Sequence, residues 1–162
     1  MKNIITIGLL FSIAIVLLVT ACSGSSDDKK QVAGKEENKT IDPMQDKGIG
    51  PVESISLPGL IDQTMAVLGD TLFINKCTAC HKIYKRKIGP PLVGVTKRRA
   101  PEWIMNMILN PDEMVMKNDA ARKLLMEYIA PMANQSLEEH EARALLEYFR
   151  SIDADQTSLK EE

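Results

Sequence analysis

The pentapeptide Cys77-Thr-Ala-Cys-His81 constrains this chain more than any other feature of its sequence. It places two thiols and an imidazole close together, at a spacing that puts all three on one side of a single helical turn. The whole chain of 162 residues has only three cysteines and two histidines. Any fold proposed for the chain must therefore explain why these rare side chains are gathered at one point.

Several chemistries use two cysteines separated by two residues. A redox-active dithiol follows a strand within a βαβ unit, but the sequence has no alternating strand pattern. A structural zinc ion takes four ligands, and only His140 is available to complete a set, because Cys22 belongs to the N-terminal signal described below. A disulfide between Cys77 and Cys80 is possible, but it would give His81 no function. Cys-x-x-Cys-His is the attachment signature of c-type haem, so one covalently bound haem c is predicted, with His81 at the iron.

Composition agrees with an enclosed cofactor. Aromatic residues make up only 4% of the chain, whereas methionine occurs nine times. A domain so poor in aromatics builds its core from aliphatic side chains and methionine, or encloses a large apolar group. The 22 acidic and 20 basic residues nearly balance, so net charge alone identifies no partner.

The N-terminus has the pattern of a secretory signal. Met1-Lys2 is a short basic start, Ile4 to Val19 is almost wholly apolar, and Ala21 precedes Cys22. The apolar run is short for a membrane span, which needs about 20 residues. It resembles a bacterial lipoprotein signal, so residues 1–21 are predicted to be removed and Cys22 to be lipidated. An uncleaved anchor helix is the alternative. Both place the protein outside the cytoplasm, anchored to a bacterial membrane and facing the periplasm or the cell surface.

Residues 22–59 are predicted to form a flexible linker. The stretch from Ser23 to Gly59 is polar, charged and without an apolar period, so it cannot bury enough surface to offset the entropy of ordering. Ser23, directly after the lipidated cysteine, resembles an outer-membrane retention signal. The acidic pair Asp27-Asp28 resembles a surface-export signal, and the sequence leaves this choice open.

Helical patterns fill residues 60–155, which are predicted to form an all-α domain of about four helices. Pro101 and the pair Asn110-Pro111 delimit the clearest helix. The last helix opens with Ser136-Leu-Glu-Glu139, a capping-box pattern. The predicted helices are Ile61 or Ala66 to Asn75, Pro101 to Leu109, Asp119 to Ile129, and Ser136 to about Ile152, with Cys77 to Ala100 a loop and residues 156–162 a C-terminal tail.

Several motifs resemble, in the right order, those of the small class I monohaem cytochromes c. Gly69-x-x-x-Phe73-x-x-x-Cys77 is similar to the first helix of that family, and Gly89-Pro90-Pro91-Leu92-x-Gly94 to its proline loop. The closing helix of the family is matched by Leu145, Tyr148 and Phe149. The resemblance spans about residues 69–152 and implies a cytochrome c-like bundle wrapped around one haem.

The resemblance also implies specific contacts. The carbonyl of Pro90 should accept a hydrogen bond from Nδ1 of His81, and Tyr148 should pack against Gly69. In this family the sixth iron ligand is usually a methionine on a loop before the last helix, and that place is taken here by Met132.

Other sixth ligands remain open. Met114 and Met116 are expected in a loop after Pro111 and are the main rivals of Met132. His140 and an open position are further alternatives. The segment from Met116 to Ala130 is longer than the family implies and is expected to add a helix before the ligand loop. The remaining candidates lie in predicted helices, where methionine usually fills core space; they are Met105, Met107 and Met126.

Basic residues cluster around the haem motif. Eight of them, and no acidic residue, lie between Thr71 and Pro101: Lys76, Lys82, Lys85, Arg86, Lys87, Lys97, Arg98 and Arg99. From Glu102 onward, 13 acidic residues outnumber six basic ones. Either these are solvated loops that help to balance the haem propionates, or they form a docking surface for an acidic redox partner. The exported location argues against nucleic acid.

These features predict an electron carrier rather than an enzyme. Iron bound by histidine and methionine has no open position, and methionine raises the reduction potential relative to two histidines. The expected role is single-electron transfer between a respiratory donor and a periplasmic or membrane-bound terminal reductase or oxidase. The segments Arg98 to Pro111 and Ala130 to Gln135 resemble cytochromes of nitrogen-oxide respiration. A haem-based sensor or ligand-binding protein with an open sixth position is the alternative, and a disulfide module survives only if no haem is attached.

Overall fold

The computed structural model describes residues 41–158, and side chains up to residue 156. The signal peptide, Cys22 and the first part of the predicted linker lie outside the described residues. Six α-helices and no strand are found within the described range: α1 (Gln63–Leu72), α2 (Val95–Arg98), α3 (Pro101–Leu109), α4 (Pro111–Lys117), α5 (Asp119–Tyr128) and α6 (Glu139–Ser158). The prediction of an all-α fold is confirmed.

The first and last helices cross at a glycine. A Cβ atom on Gly69 of α1 would collide with the backbone of Ala144 in α6 and would lie 2.8 Å from Cβ of Tyr148. Only glycine allows this approach. Three aromatic rings pack beside the crossing: the ring of Phe73 lies 5.6 Å from that of Tyr148 and 6.1 Å from that of Phe149. The expected packing of Tyr148 against Gly69 is therefore confirmed.

Helix α1 leads directly into the haem motif. It continues as a π-helical turn, Phe73–Cys77, in which the N–H of Thr78 donates to the carbonyl of Phe73 at 3.1 Å. Such wide turns are frequent at functional sites. The N–H groups of Cys80 and His81 then both donate to the carbonyl of Cys77, at 3.0 and 2.8 Å. The motif thus forms one further turn that is continuous with α1.

The short helix α2 lies inside the segment predicted to be a loop. Its N-terminus is capped from α6, because the buried carboxylate of Asp153 accepts hydrogen bonds from the N–H groups of Gly94 and Thr96 and from Oγ1 of Thr96. Gly94 has φ of 74°, in the left-handed region that favours glycine. A side chain 57 residues away supplies the cap of Thr96, so the local sequence does not reveal this helix.

Helix α3 has the predicted bounds, but the segment after it does not match the prediction. The structure places Met114 and Met116 in helix α4 and not in a loop, which corrects the prediction. Pro111 stands at the first position of α4, where its missing N–H costs nothing. Asp112 and Glu113 follow in the first turn, at the positive end of the helix dipole. The additional helix expected before the ligand loop is confirmed as α5.

The start of the last helix is also corrected. Helix α6 begins at Glu139, and Ser136 lies before it with φ of 53°, so Ser136 does not cap the helix. A capping-box contact is made instead at Glu138, the residue before the helix. Its N–H donates to Oε2 of Glu141, three residues further on, at 2.8 Å. At the other end, α6 extends to Ser158, beyond the predicted start of the C-terminal tail at residue 156.

Residues 42–58, here called the N-terminal strap, pack along the helices. The buried amide of Asn106 in α3 holds them: its Oδ1 accepts the N–H of Val52 at 2.9 Å, and its Nδ2 donates to the carbonyls of Lys47 and Val52, also at 2.9 Å. Val52 is itself buried. The prediction of a flexible linker up to Gly59 is therefore corrected for the strap. Its hydrogen bonds come from side chains some 54 residues away, which local polarity does not reveal.

Between residues 41 and 158, no helix is both long enough and apolar enough to cross a membrane.

Candidate cofactor site

A cavity of about 810 Å³ lies among the helices. This volume is within the range of roughly 300–1,000 Å³ that is usual for sites of small organic ligands and cofactors. Most of its lining is apolar, including Ile104 and Ile108 of α3 and Leu145 of α6. The structure brings the residues predicted for the haem site together on this lining: Cys77, Cys80, His81, Pro90 and Met132.

The two thiols are available for attachment. Cys77 and Cys80 are both free, and they do not form a disulfide. Cys77 is partly buried whereas Cys80 is exposed. Burial, reinforced by the nearby Cys80, raises the pKa of the Cys77 thiol to about 11. Cys77 and Cys80 both line the cavity, and they belong to the turn that also carries His81.

His81 is held in one orientation by its neighbours. Its Nδ1 lies 3.0 Å from the carbonyl oxygen of Pro90, which is the contact that the family resemblance implies. This contact leaves Nε2 free to bind a metal. A Cβ atom on Gly89 would collide with the imidazole ring, so glycine is required there by close approach. The N–H groups of Ile88 and Gly89 donate to the carbonyl of Cys80, at 3.1 and 2.9 Å, and fix the loop against the motif.

Of the three methionines considered as sixth ligand, only Met132 lines the cavity. Met132 lines the cavity and is partly buried. Met114 is fully buried beneath the strap, where its Sδ accepts the N–H of Ile49 at 3.0 Å. Met116 is 62% exposed and does not line the cavity. Neither rival of Met132 is therefore placed to reach a group bound in the cavity.

Two further methionines do line the cavity, Met107 and Met44. Met107 lies in α3. From the sequence alone, a methionine in a helix cannot be distinguished from one that fills the core. Met44 belongs to the strap, whose sequence has the composition of a linker. No local signal could have identified Met44, because only the packing of the strap brings it to the cavity.

The loop that carries Met132 is strained at both ends. Ile129 ends α5 with φ of 54°, and Ser136 has φ of 53°. Such left-handed conformations are unfavourable for a β-branched residue, and Ile129 is 86% exposed, so packing does not compensate. The hydrogen bonds described within the loop involve side chains: Nδ2 of Asn134 donates to the carbonyl of Leu109 at 3.4 Å, and Nε2 of Gln135 to that of Ala133 at 3.2 Å.

Basic side chains border the cavity as well. Lys76, Lys97, Arg98 and Arg99 are four of the eight basic residues noted in the sequence, and all four line it. Arg98 donates to the carbonyls of Val93 and Pro91, and the guanidinium of Arg99 lies 4.6 Å from the centre of the Trp103 ring. Burial lowers the pKa of Arg99 from its usual value. These cations place positive charge beside an otherwise apolar space.

The chemistry of this lining fits a haem and not a bare metal ion. In the part of the chain that the structure describes, no three side chains of the His, Cys, Asp and Glu types converge on a common point. The cavity is instead large and apolar, with two thiols and one imidazole from a single turn on its wall. A helical domain with such a site belongs to the class of proteins that bind haem covalently.

The chain belongs to the cytochrome c family, since the family model for cytochrome c matches residues 66–153. Membership implies one covalently bound haem c, and Cys77 and Cys80 lie in the corresponding attachment motif. It also agrees with the class I monohaem resemblance noted in the sequence.

Solved structures support this membership. A cytochrome c from Rhodothermus marinus is 45% identical, with a TM-score of 0.65, over 66% of this chain and 92% of that one. An engineered form of that cytochrome, bound to a carbene intermediate, is 45% identical over 65% and 91%, with a TM-score of 0.61. The cytochrome c domain of a Pseudomonas putida protein is 31% identical over 57% and 94%, with a TM-score of 0.52. No curated protein matches the chain.

Proposed function

We propose that this protein is a single-electron carrier whose haem iron is bound by His81 and Met132. The observation that supports this most is that His81 and Met132 line the same apolar cavity, whereas Met114 and Met116 do not. The haem, when attached, supplies a one-electron Fe(III)/Fe(II) couple.

His81 is proposed as the permanent ligand. The Nδ1–H group donates a hydrogen bond to the carbonyl of Pro90, and in this tautomer Nε2 is the nitrogen that can bind the iron. The collision that any side chain at position 89 would cause shows how closely the ring is enclosed. A ligand fixed in this way changes little in position when the iron changes charge, and small rearrangement favours electron transfer.

Met132 is proposed as the sixth ligand. A thioether is a soft, neutral ligand, and it raises the reduction potential relative to a second histidine. If His81 and Met132 both bind the iron, no site would be left there for a substrate, so the protein is proposed as a carrier and not as an enzyme. The apolar lining excludes water and reduces the reorganisation that accompanies electron transfer.

Three measurements on the purified full chain test this function. Haem staining of a denaturing gel should be positive for the wild type and sharply reduced for Cys77→Ser and Cys80→Ser. A redox titration should show one reversible one-electron couple. The ferrous protein should bind carbon monoxide poorly. Ready binding of carbon monoxide by the wild type would favour the alternative, a haem-based ligand-binding or sensor protein with an open sixth position.

The basic residues around the motif are proposed to dock an acidic redox partner. Four of them border the cavity, so a partner bound there would approach the haem site directly. Electrostatic steering can raise association rates by about 10–10³ and weakens with added salt. The partners would be a respiratory donor and a periplasmic or membrane-bound terminal reductase or oxidase, including a reductase of nitrogen oxides. If the rate of reduction by such a partner did not fall with ionic strength, the docking proposal would fail.

The protein is also proposed to be a lipoprotein, anchored through Cys22 and exported from the cytoplasm. The support is the N-terminal sequence together with c-type haem. Because Pro43 and Met44 of the strap line the cavity, the chain leading from Cys22 enters the domain beside the haem site. Cys22→Ala should move the protein from the membrane fraction to the soluble fraction while leaving its haem spectrum unchanged. Retention of the variant in the membrane would support an uncleaved anchor instead.

A further inference from the structure

The N-terminal strap supplies part of the cavity wall. Asp42, Pro43 and Met44 line the cavity, although they precede the haem motif by more than 30 residues in the sequence. Met44 is 41% exposed, so it lies where the cavity meets solvent. The cytochrome c match begins only at residue 66. This wall is therefore a contribution from outside the part of the chain that the family model covers.

These residues form a compact turn. The N–H groups of Gln45 and Asp46 donate to the carbonyl of Asp42 at 2.8 and 3.1 Å, and the N–H of Met44 donates to Oδ1 of Asp42 at 3.0 Å. The carbonyl of Pro43 accepts the N–H of Ala100 at 3.3 Å, which joins the turn to the residue before α3. The position of the Met44 backbone is thus set from both sides.

A second contact fastens the end of this turn. Both carboxylate oxygens of Asp46 lie 2.9 Å from Nδ2 of Asn118, and Oδ1 also accepts the N–H of Gly48 at 2.9 Å. Asn118 is buried, and its Oδ1 accepts the indole N–H of Trp103 at 3.2 Å. Trp103 lines the cavity. The Asp46–Asn118 contact therefore connects the strap turn to a second part of the same wall.

We propose that the strap turn, residues 42–46, closes the edge of the haem cavity, with Met44 as its wall residue and Asp46 as the residue that positions it. Its effect is to keep water from the haem. Ferric haem carries one more positive charge than ferrous haem, and exclusion of water disfavours the more highly charged state. The closed strap turn therefore raises the reduction potential. This inference rests on the electron-carrier function proposed above.

Two methionine variants of the full chain test the wall. Met44→Ala is expected to lower the midpoint potential and to increase the rate constant for oxidation of the ferrous protein by ferricyanide. Met126→Ala is the matched control, because Met126 is 66% exposed and lies outside the cavity lining; both quantities should keep their wild-type values. Both variants should retain the near-infrared absorption band of methionine sulfur bound to Fe(III).

Two aspartate variants test the positioning role. Asp46→Ala and Asp46→Asn both remove one negative charge, which by itself raises the potential, but only Asp46→Asn keeps an acceptor oxygen for Asn118. The potential of Asp46→Ala should therefore be lower than that of Asp46→Asn, and its oxidation by ferricyanide faster. Equal potentials and rates in this pair would show that Asp46 does not position the wall.

The inference is overturned if Met44→Ala keeps the potential and the oxidation rate of the wild type. It is also overturned if Met44→Ala loses the near-infrared band, because Met44 would then bind iron and would not be a wall residue. Failure of the carrier function has a different signature, since the wild type itself would then lack a reversible one-electron couple.

Discussion

His81 and Met132 border the same cavity from segments that are held in very different ways. The segment carrying His81 is a continuation of helix α1, and the contacts of Gly89 and Pro90 fix the imidazole from a second direction. The segment carrying Met132 connects α5 to α6, and residues with left-handed backbone conformation stand near both of its ends. Its described hydrogen bonds come from side chains such as Asn134 and Gln135.

The difference indicates two separate tasks. The His81 side must keep one geometry through haem attachment and through every electron transfer, and its contacts leave the ring little freedom. The segment carrying Met132 is proposed to set the reduction potential and to fill the sixth position, and its strained backbone favours release of the loop. Substitutions on the His81 side should therefore affect formation of the holoprotein, whereas those on the Met132 side should affect ligand binding and stability.

The largest effect is expected from removal of the imidazole. His81→Ala should reduce holoprotein to near background, because the proposed permanent ligand is then missing and the haem can no longer complete the core. The haem spectrum of a cell extract measures this directly. His140→Ala is the matched control, since the side chain of His140 is 63% exposed and pairs only with Glu138 at 3.4 Å among its described contacts. Full yield of six-coordinate holoprotein from His81→Ala would remove His81 from the site.

A smaller effect on the same side is expected from Gly89→Ala. The new Cβ would collide with the imidazole ring, and such overpacking typically costs about 1–3 kcal/mol. Denaturant unfolding of the holoprotein should show a loss of that size. Gly59→Ala introduces the same methyl group where no atom lies within 4 Å, so it should leave the free energy of unfolding nearly unchanged. Equal stability of the two variants would mean that the ring can move aside freely.

The sequence predicted elements whose signals are local and missed those fixed at long range. Helix α3 was delimited correctly because Pro101 and Pro111 flank it directly. Helix α4 has a less clear signal, because Pro111 predicts the end of α3 and also stands at the first position of the next helix. The strap is held by contacts such as that between Asn106 and Val52, which are 54 residues apart. A local sequence pattern cannot reveal a contact between residues so distant in the chain.

The residues of the cofactor site also divide into those with a local sequence signal and those placed by long-range packing. Cys77, Cys80 and His81 were identified from five consecutive residues, and the family resemblance pointed to Pro90 and Met132. The structure then showed which methionines reach the cavity, and that outcome depends on helix packing. Met44 could not be identified from sequence, because its own segment has the composition of a linker.

On the Met132 side, a modest gain in stability is expected from relief of strain. A left-handed conformation costs an ordinary residue about 1–2 kcal/mol, whereas glycine adopts it freely at an entropic cost of about 0.5–1 kcal/mol. Ile129→Gly should therefore raise the free energy of unfolding by roughly 0.5–1 kcal/mol. Ile129→Ala removes nearly the same exposed side chain but retains Cβ, so it should give no gain. A gain of the same size in both variants would show that the side chain, and not the backbone, was the cause.

A further effect of similar size concerns pH and the crossing of α1 and α6. Burial, followed by a hydrogen bond to Asp70, raises the pKa of Tyr148 to about 12 from an ordinary value of 10. The neutral phenol is thus favoured in the folded state, and its contribution to stability is complete below pH 10 and is lost as the pH rises through about 12. Because the side chain is partly exposed, this contribution is about 1 kcal/mol.

Tyr148→Phe isolates this contribution. The difference in the free energy of unfolding between wild type and Tyr148→Phe should be constant from pH 7 to about 9 and should shrink between pH 10 and 12. A difference that stayed constant to pH 12 would mean that the phenol titrates alike in the folded and unfolded states.

Met132 is proposed as the sixth ligand, and the near-infrared spectrum of the oxidised protein reports this ligation directly. The wild type should show the weak band of methionine sulfur bound to Fe(III). Met132→Ala should remove this band, lower the midpoint potential and open the iron to azide and carbon monoxide. Met107→Ala changes another methionine of the same cavity and should retain the band, as should Met114→Ala. Persistence of the band in Met132→Ala would show that Met132 does not bind the iron, and its loss in Met107→Ala or Met114→Ala would identify the methionine that does.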